Sequence, residues 1–177
     1  MSIYFDTPVV VLGCGNRLFG DDGFGPSVID HLQNNFAVPE NVTIMDAGTG
    51  VRNMLFDIVL GEGIVKKVIV VDAIDAGRIP GEILEIDPSE ISAKKLFDFS
   101  MHQLPTSNLL QELKDLCRVD VKIISVQVEC IPDLVRPGIS EALVRSLPFV
   151  CRRILDECNR PENPKEEAAT APPSGSS

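Results

Sequence analysis

Residues 8–25 read PVVVLGCGNRLFGDDGFG, and the order of their parts decides the fold. The opening run 8–12 is β-branched and nearly continuous in its apolarity, the pattern of a strand covered on both faces. It passes directly into a loop carrying Gly13, Gly15, Gly20, Gly23 and Gly25, and then into apolar residues at helical spacing, Val28, Ile29, Leu32 and Phe36. Two further runs of the same kind follow, 42–45 (VTIM) and 68–71 (VIVV), with Met54, Leu55, Ile58 and Val59 at helical spacing between them. This βαβαβ alternation predicts a parallel sheet with helices on its faces.

The second half adds two strands and two helices. Residues 81–86 (GEILEI) follow the third strand after only the turn-rich 75–80 (DAGRIP), too short for a crossover helix, so this strand is expected to run antiparallel to its predecessor. Leu109, Leu110, Leu113, Leu116 and Cys117 form a helix face after Pro105, and 121–128 (VKIISVQV) supplies a fifth strand. A last helix opens at Ser140 as N-cap, with Ile139, Leu143, Leu147, Val150 and Ile154 as its apolar stripe and Pro148 bending its interior. The expected fold is an α/β, three-layer α/β/α sandwich around a mixed, mostly parallel five-stranded sheet.

With 177 residues and 44% hydrophobic content the chain suits one domain, placed at 1–158. Residues 159–177 (NRPENPKEEAATAPPSGSS) have no apolar periodicity and read as a disordered tail, because they bury too little surface to offset their ordering entropy. No apolar run approaches the roughly 18–20 residues that cross a bilayer, and the N-terminus lacks the basic start and cleavage site of a signal peptide. The expectation is a soluble, cytoplasmic protein with no membrane partner. Five cysteines (14, 117, 130, 151 and 158), odd in number and without a C-x-x-C pair, predict reduced and mostly buried thiols. The net charge of -10 disfavours non-specific binding to nucleic acid or anionic lipid, since no surplus of Lys and Arg is present to neutralise phosphates, and no nucleic-acid partner is expected.

The glycine loop resembles a phosphate-binding loop only superficially. A dinucleotide fingerprint begun at Gly13 and Gly15 requires glycine at position 18, which is Leu18. Gly15 and Gly20 have P-loop spacing, but Asp21 and Asp22 stand where that loop needs lysine and a hydroxyl. Two carboxylates repel phosphate and favour a cation or a basic partner. Acids ahead of a helix also serve as N-caps, which is the reading preferred for Asp21, with Asp22 turned to the cation.

Ligands of such sheets sit beyond the C-terminal strand ends where strand order reverses, between the first and third strands. Asp72 ends the third strand at that point, and His102, in 99–105 (FSMHQLP), lies in a loop able to return to the same edge. Two carboxylates and an imidazole suit nickel, zinc or cadmium with coordination positions left open. His31, within the first helix, reads as a surface residue, Asp75 as a turn residue and Cys14 as packing.

Residues 15–25 (GNRLFGDDGFG) resemble the G-N-x-L-x-x-D-[DE]-G-x-G signature of the hydrogenase maturation endopeptidases. The resemblance continues through DAGTG (46–50), VVDA around Asp72 and SMHQ around His102, and reaches the final helix. It departs at Ala47, where glycine is frequent, and at Met101, where some relatives have proline. VQVECIP (126–132) is similar to the branch acting on deazaflavin-reducing hydrogenases of methanogens.

The resemblance implies an endopeptidase that removes the C-terminal peptide of a nickel-loaded [NiFe] hydrogenase large-subunit precursor. Asp22, Asp72 and His102 are then the metal-binding and catalytic trio, and Asp46, Gly48 and Thr49 line the substrate groove. No cofactor resides in such a protein: nickel arrives with the substrate, and zinc or cadmium are able to take its place. Hydrolysis proceeds either through a metal-polarised carbonyl or through a carboxylate-activated water. The rival readings are a non-catalytic chaperone that binds metal or precursor during hydrogenase assembly, and a nucleotide-binding enzyme.

Overall fold

The structure, a computed structural model, describes residues 5–61, 63–88 and 104–161, with the side chains of 104–108 left aside. Strands β1 (Val9–Cys14), β2 (Val42–Gly48), β3 (Lys67–Ile74), β4 (Ile83–Ile86) and β5 (Asp120–Gln127) form one sheet in the order β2-β1-β3-β5-β4. Helices α1 (Phe24–Asn35), α2 (Val51–Leu60), α3 (Leu104–Asp115) and α4 (Glu141–Asn159) cover it. A four-residue 3-10 turn, Gly20–Gly23, stands between β1 and α1.

Side chains alternate across the sheet with period two, which divides the core into two layers. Val10 and Leu12 of β1, Val68 and Val70 of β3, and Val121 and Ile123 of β5 pack against α2 and α3 through Leu55, Ile58, Leu110 and Leu113. Val11, Ile69, Val71, Ile124 and Val126 face the other way, onto Ile29 and Leu32 of α1 and Leu143, Val150 and Ile154 of α4. Both faces of β1 and β3 are therefore dry, as their unbroken apolarity predicts, and the three-layer mixed sheet is confirmed.

β1 pairs in parallel with both β2 and β3, and β3 with β5, so the strand order reverses between β1 and β3 as anticipated. β4 runs opposite to β3, but its hydrogen-bonding neighbour is β5: Ile83 pairs with Val126 and Ile86 with Ile123. The short connection after β3 carries the chain past the lane that β5 later fills, so β4 becomes the edge strand.

Two helix boundaries differ from the expectation. α3 ends at Asp115, and Leu116 and Cys117 lie beyond it, both exposed, where the chain turns through Arg118 with a positive φ of 55°. α4 runs through Asn159, and Arg160 is its C-cap, so two residues that composition assigns to the tail belong to the folded part. The reason is Lys67, only 2% exposed, whose Nζ donates to the carbonyls of Glu157 (2.9 Å) and Arg160 (3.0 Å) and pairs with the Glu157 and Asp120 carboxylates at 3.5 Å each. A buried ammonium thus satisfies orphan carbonyls at the end of α4 and favours its dipole. Residues 162–177 of the expected tail lie outside the described residues.

Among the described residues no helix is long and apolar enough to cross a membrane. All five cysteines are free, with Cys14, Cys151 and Cys158 buried and Cys117 and Cys130 exposed.

Candidate active site at the β1 and β3 strand ends

The glycines shape the loop itself. Gly15 has φ +126°, and a Cβ there would overlap the carbonyl of Asp22, while a Cβ at Gly25 would collide with the backbone of Cys14. The tip of β1, the 3-10 turn and the first turn of α1 are thereby stacked backbone on backbone, at a spacing that only glycine permits. The close backbone approach that these glycines permit is internal to the chain.

Within this scaffold the two adjacent acids have opposite environments. Asp21 is 1% exposed, and its Oδ1 accepts from the Ser140 amide at 2.6 Å. Its Oδ2 accepts from the Glu129 amide (2.8 Å), the Cys130 amide (3.2 Å) and the Ser140 hydroxyl (3.0 Å). The N-cap reading of Asp21 is corrected: no side chain caps α1, whose N-cap is Gly23, and the Asp21 carboxylate ties the loop to the segment between β5 and α4. Ser140 does occupy the N-cap position of α4, but its hydroxyl serves Asp21 rather than its own helix. A parallel bridge between Phe19 and Arg136 closes the same junction, with Gly20 N–H to Arg136 O and Arg136 N–H to Leu18 O both 2.8 Å.

Asp22 is half-buried. Its Oδ2 accepts from the Asn16 amide at 3.1 Å, and its Oδ1 is a buried acceptor with no hydrogen-bond partner among the described residues. An unspent carboxylate oxygen is costly in a folded protein and marks a position where a donor or cation is missing. Asp72 is fully buried near the C-terminal end of β3, where its Oδ1 accepts from the Ala73 amide at 2.8 Å. Residues at even positions of β3 face α2 and α3, so Asp72 shares that face with Cys14, one step beyond the last β1–β3 register pair. Burial first, and then the Asp72 and Asp46 carboxylates, raise the Cys14 thiol well above its ordinary range, which keeps it protonated and agrees with its packing role.

The third member of the expected trio, His102, lies outside the described residues, and among those described no group of three metal-capable side chains converges. His31 sits on α1 as anticipated, beside Asn35 and the Phe36 ring. Asp75 is the exposed turn residue it was read to be, accepting from the Gly77 amide at 3.3 Å.

Asp46 and Gly48 end β2 and Thr49 follows it, beside the loop: the Gly15 amide donates to the Gly48 carbonyl at 3.0 Å. Asp46 is exposed, and its Oδ1 accepts from the Gly48 amide at 2.9 Å while its Oδ2 is held by Arg17 at 2.9 Å. Arg17 also reaches Asp30 of α1 at 2.6 Å and the Pro26 carbonyl at 3.0 Å, so one guanidinium fastens the loop to β2 and α1 together. Sequence reasoning missed Arg17, although it is the single cation among residues 13–25. It also missed Gln127, which is 3% exposed and uses Oε1 to accept from the Ala76 and Arg78 amides (2.8 and 3.1 Å), fixing the turn after β3. On the other flank a cleft of about 660 Å³ opens between Gly20, Cys130, Pro132, Arg136 and Ser140, and Asp46, Gly48 and Thr49 are not among its walls.

The chain is thus an α/β/α sandwich with acids, and no P-loop lysine, in the glycine loop at its switch point. Residues 26–157 match the family model of the hydrogenase maturation proteases, and the chain belongs to that family. It is 37% identical over 157 residues to the coenzyme F420 hydrogenase subunit delta of Methanothermobacter thermautotrophicus, covering 86% of this chain and 96% of that one. In three dimensions it is similar to the endopeptidase HycI from Escherichia coli, with a TM-score of 0.68, 26% identity and coverage of 88% and 93%. A [NiFe] hydrogenase maturation protease HycI from Thermococcus kodakarensis matches with a TM-score of 0.67, 26% identity and coverage of 87% and 94%.

Proposed function

We propose that the protein is a cytoplasmic endopeptidase that removes the C-terminal peptide of a [NiFe] hydrogenase large-subunit precursor, recognising the nickel already seated in it. Membership of the maturation protease family supports the peptidase activity. The single observation that carries the metal-directed part is the buried Asp22 Oδ1, an acceptor with no donor among the described residues at the point where strand order reverses.

In this reading nickel belongs to the substrate. Asp22, Asp72 and His102 engage the precursor's nickel, which brings the scissile carbonyl to the loop. Water adds to that carbonyl carbon and the C–N bond breaks, giving a new carboxylate and a released amine. Asp22 serves this role because its neighbour Asp21 takes the structural load: with Asp21 spent on Glu129, Cys130 and Ser140, the turn stays in place while Asp22 exchanges partners. Asp46, Gly48 and Thr49 flank the departing peptide, and the Arg17 contact sets the position of Asp46.

Incubation of the pure protein with the precursor, loaded with nickel or free of it, tests the proposal. Mass spectrometry is expected to show loss of the C-terminal peptide from the nickel-loaded form alone. Stable binding of precursor without peptide loss favours the non-catalytic chaperone instead.

A further inference from the structure

Beyond Asp72 on the sheet lies another buried oxygen with no hydrogen-bond partner among the described residues. Asp72 of β3 and Ser125 of β5 are direct partners in the parallel register. Registered residues on neighbouring parallel strands project to the same face, about 4.8 Å apart. Ser125 is 0% exposed, and its Oγ has no hydrogen-bond partner among the described residues. Around it β5 is apolar: Ile123, Ile124 and Val126 are all buried, so a hydroxyl at this position contributes nothing to packing that alanine would not. A buried hydroxyl that spends neither its donor nor its acceptor is unfavourable for the fold and points to a use outside it.

We propose that Ser125 is a positioning residue for Asp72. When Asp72 engages a divalent cation presented by the precursor, the Ser125 hydroxyl donates a hydrogen bond to the carboxylate oxygen turned away from the cation. Carboxylates that bind metals are themselves held by such bonds, and an unheld carboxylate loses affinity through rotation. Asp22, from the 3-10 turn after β1, is then a direct ligand beside Asp72, and Ser125, from β5, is the group that orients Asp72. This inference rests on the assignment of Asp22, Asp72 and His102 to the cation.

The test uses the full chain and cadmium as probe, with calorimetric titration of the wild type, Ser125→Ala and Ser125→Thr. Ser125→Ala is expected to keep or raise the melting temperature, because it deletes an unpaired hydroxyl, and yet to bind cadmium about ten-fold more weakly. Ser125→Thr, which keeps the hydroxyl, is expected to bind within about three-fold of the wild type. Wild-type cadmium affinity in Ser125→Ala overturns the inference while leaving the cation site standing, as does a lowered melting temperature with unchanged affinity. Absence of cadmium binding by the wild type overturns the site assignment and this inference with it.

Discussion

The carboxylate of Asp21 accepts both the amide and the hydroxyl of Ser140, 119 residues further along the chain, at 2.6 and 3.0 Å. With the Glu129 and Cys130 amides on its other side, it is the bolt between the glycine loop and the entrance to α4. Asp21→Ala leaves three part-buried amides without their acceptor and is expected to cost about 1–3 kcal/mol, the range for an unsatisfied buried donor. Urea unfolding reads this directly. Asp22→Ala, one residue on, removes one oxygen with no partner among the described residues and a single bond from the Asn16 amide, and is expected to cost about 1 kcal/mol or less. Equal losses in the two variants would contradict the division of labour between them.

Much of this was legible in the sequence, for reasons that differ between residues. The doubly covered strands β1 and β3 announced themselves because their central runs, 9–12 and 68–71, carry no polar position to confuse the period. Asp22 stood out because it reverses the charge of a phosphate loop. The role of Asp21 was not readable, since its partners are residues 129, 130 and 140, and no local pattern encodes a contact over such a separation. Lys67 escaped notice for the same reason: its position at the start of β3 reads as an ordinary solvent-facing end, and only the arrival of α4 buries it. The position of β4 depended on a strand that comes later in the chain, which adjacency in sequence does not anticipate.

Lys67 gives the second prediction. Its ammonium is shared among the carbonyls of Glu157 and of the C-cap Arg160 and the Glu157 and Asp120 carboxylates. Removing one partner from a buried ion pair costs about 3–5 kcal/mol, because the remaining charge is left uncompensated. Lys67→Ala is therefore expected to lower stability by about that amount and to fray the last turn of α4. Hydrogen exchange at the amides near residues 154–159 checks the location of the damage.

Arg17 behaves differently because its ion pairs with Asp30 and Asp46 are exposed. Each is worth at most about 1 kcal/mol, and salt weakens it. Arg17→Ala is expected to leave stability nearly intact while raising KM for the precursor several-fold, because Asp46 loses the contact that orients it. Steady-state kinetics on precursor cleavage, read as a split between KM and kcat, test this.

The thiols divide by environment. Burial raises Cys151 to about 12 and Cys158 to about 11, and it is the largest of the causes that raise Cys14. These thiols stay neutral at pH 8, so iodoacetamide at that pH is expected to modify only the exposed Cys117 and Cys130 of the folded protein. The sign for stability follows from the same shifts. The folded state holds these protons more tightly than the unfolded chain, whose thiols titrate near 9, so this stabilisation is complete below pH 9. It falls as pH rises towards 11 and 12, and melting curves across that range are expected to show the decline.

The central claim is that Asp22 is the loop's functional acid, and precursor processing by Asp22→Ala tests it most directly. Purified nickel-loaded large-subunit precursor is mixed with wild-type or variant protein, both shown to be folded by circular dichroism, and the precursor's mass is followed over time. The wild type is expected to release the C-terminal peptide and Asp22→Ala to leave the precursor at full length. Processing by folded Asp22→Ala at the wild-type rate would contradict the account.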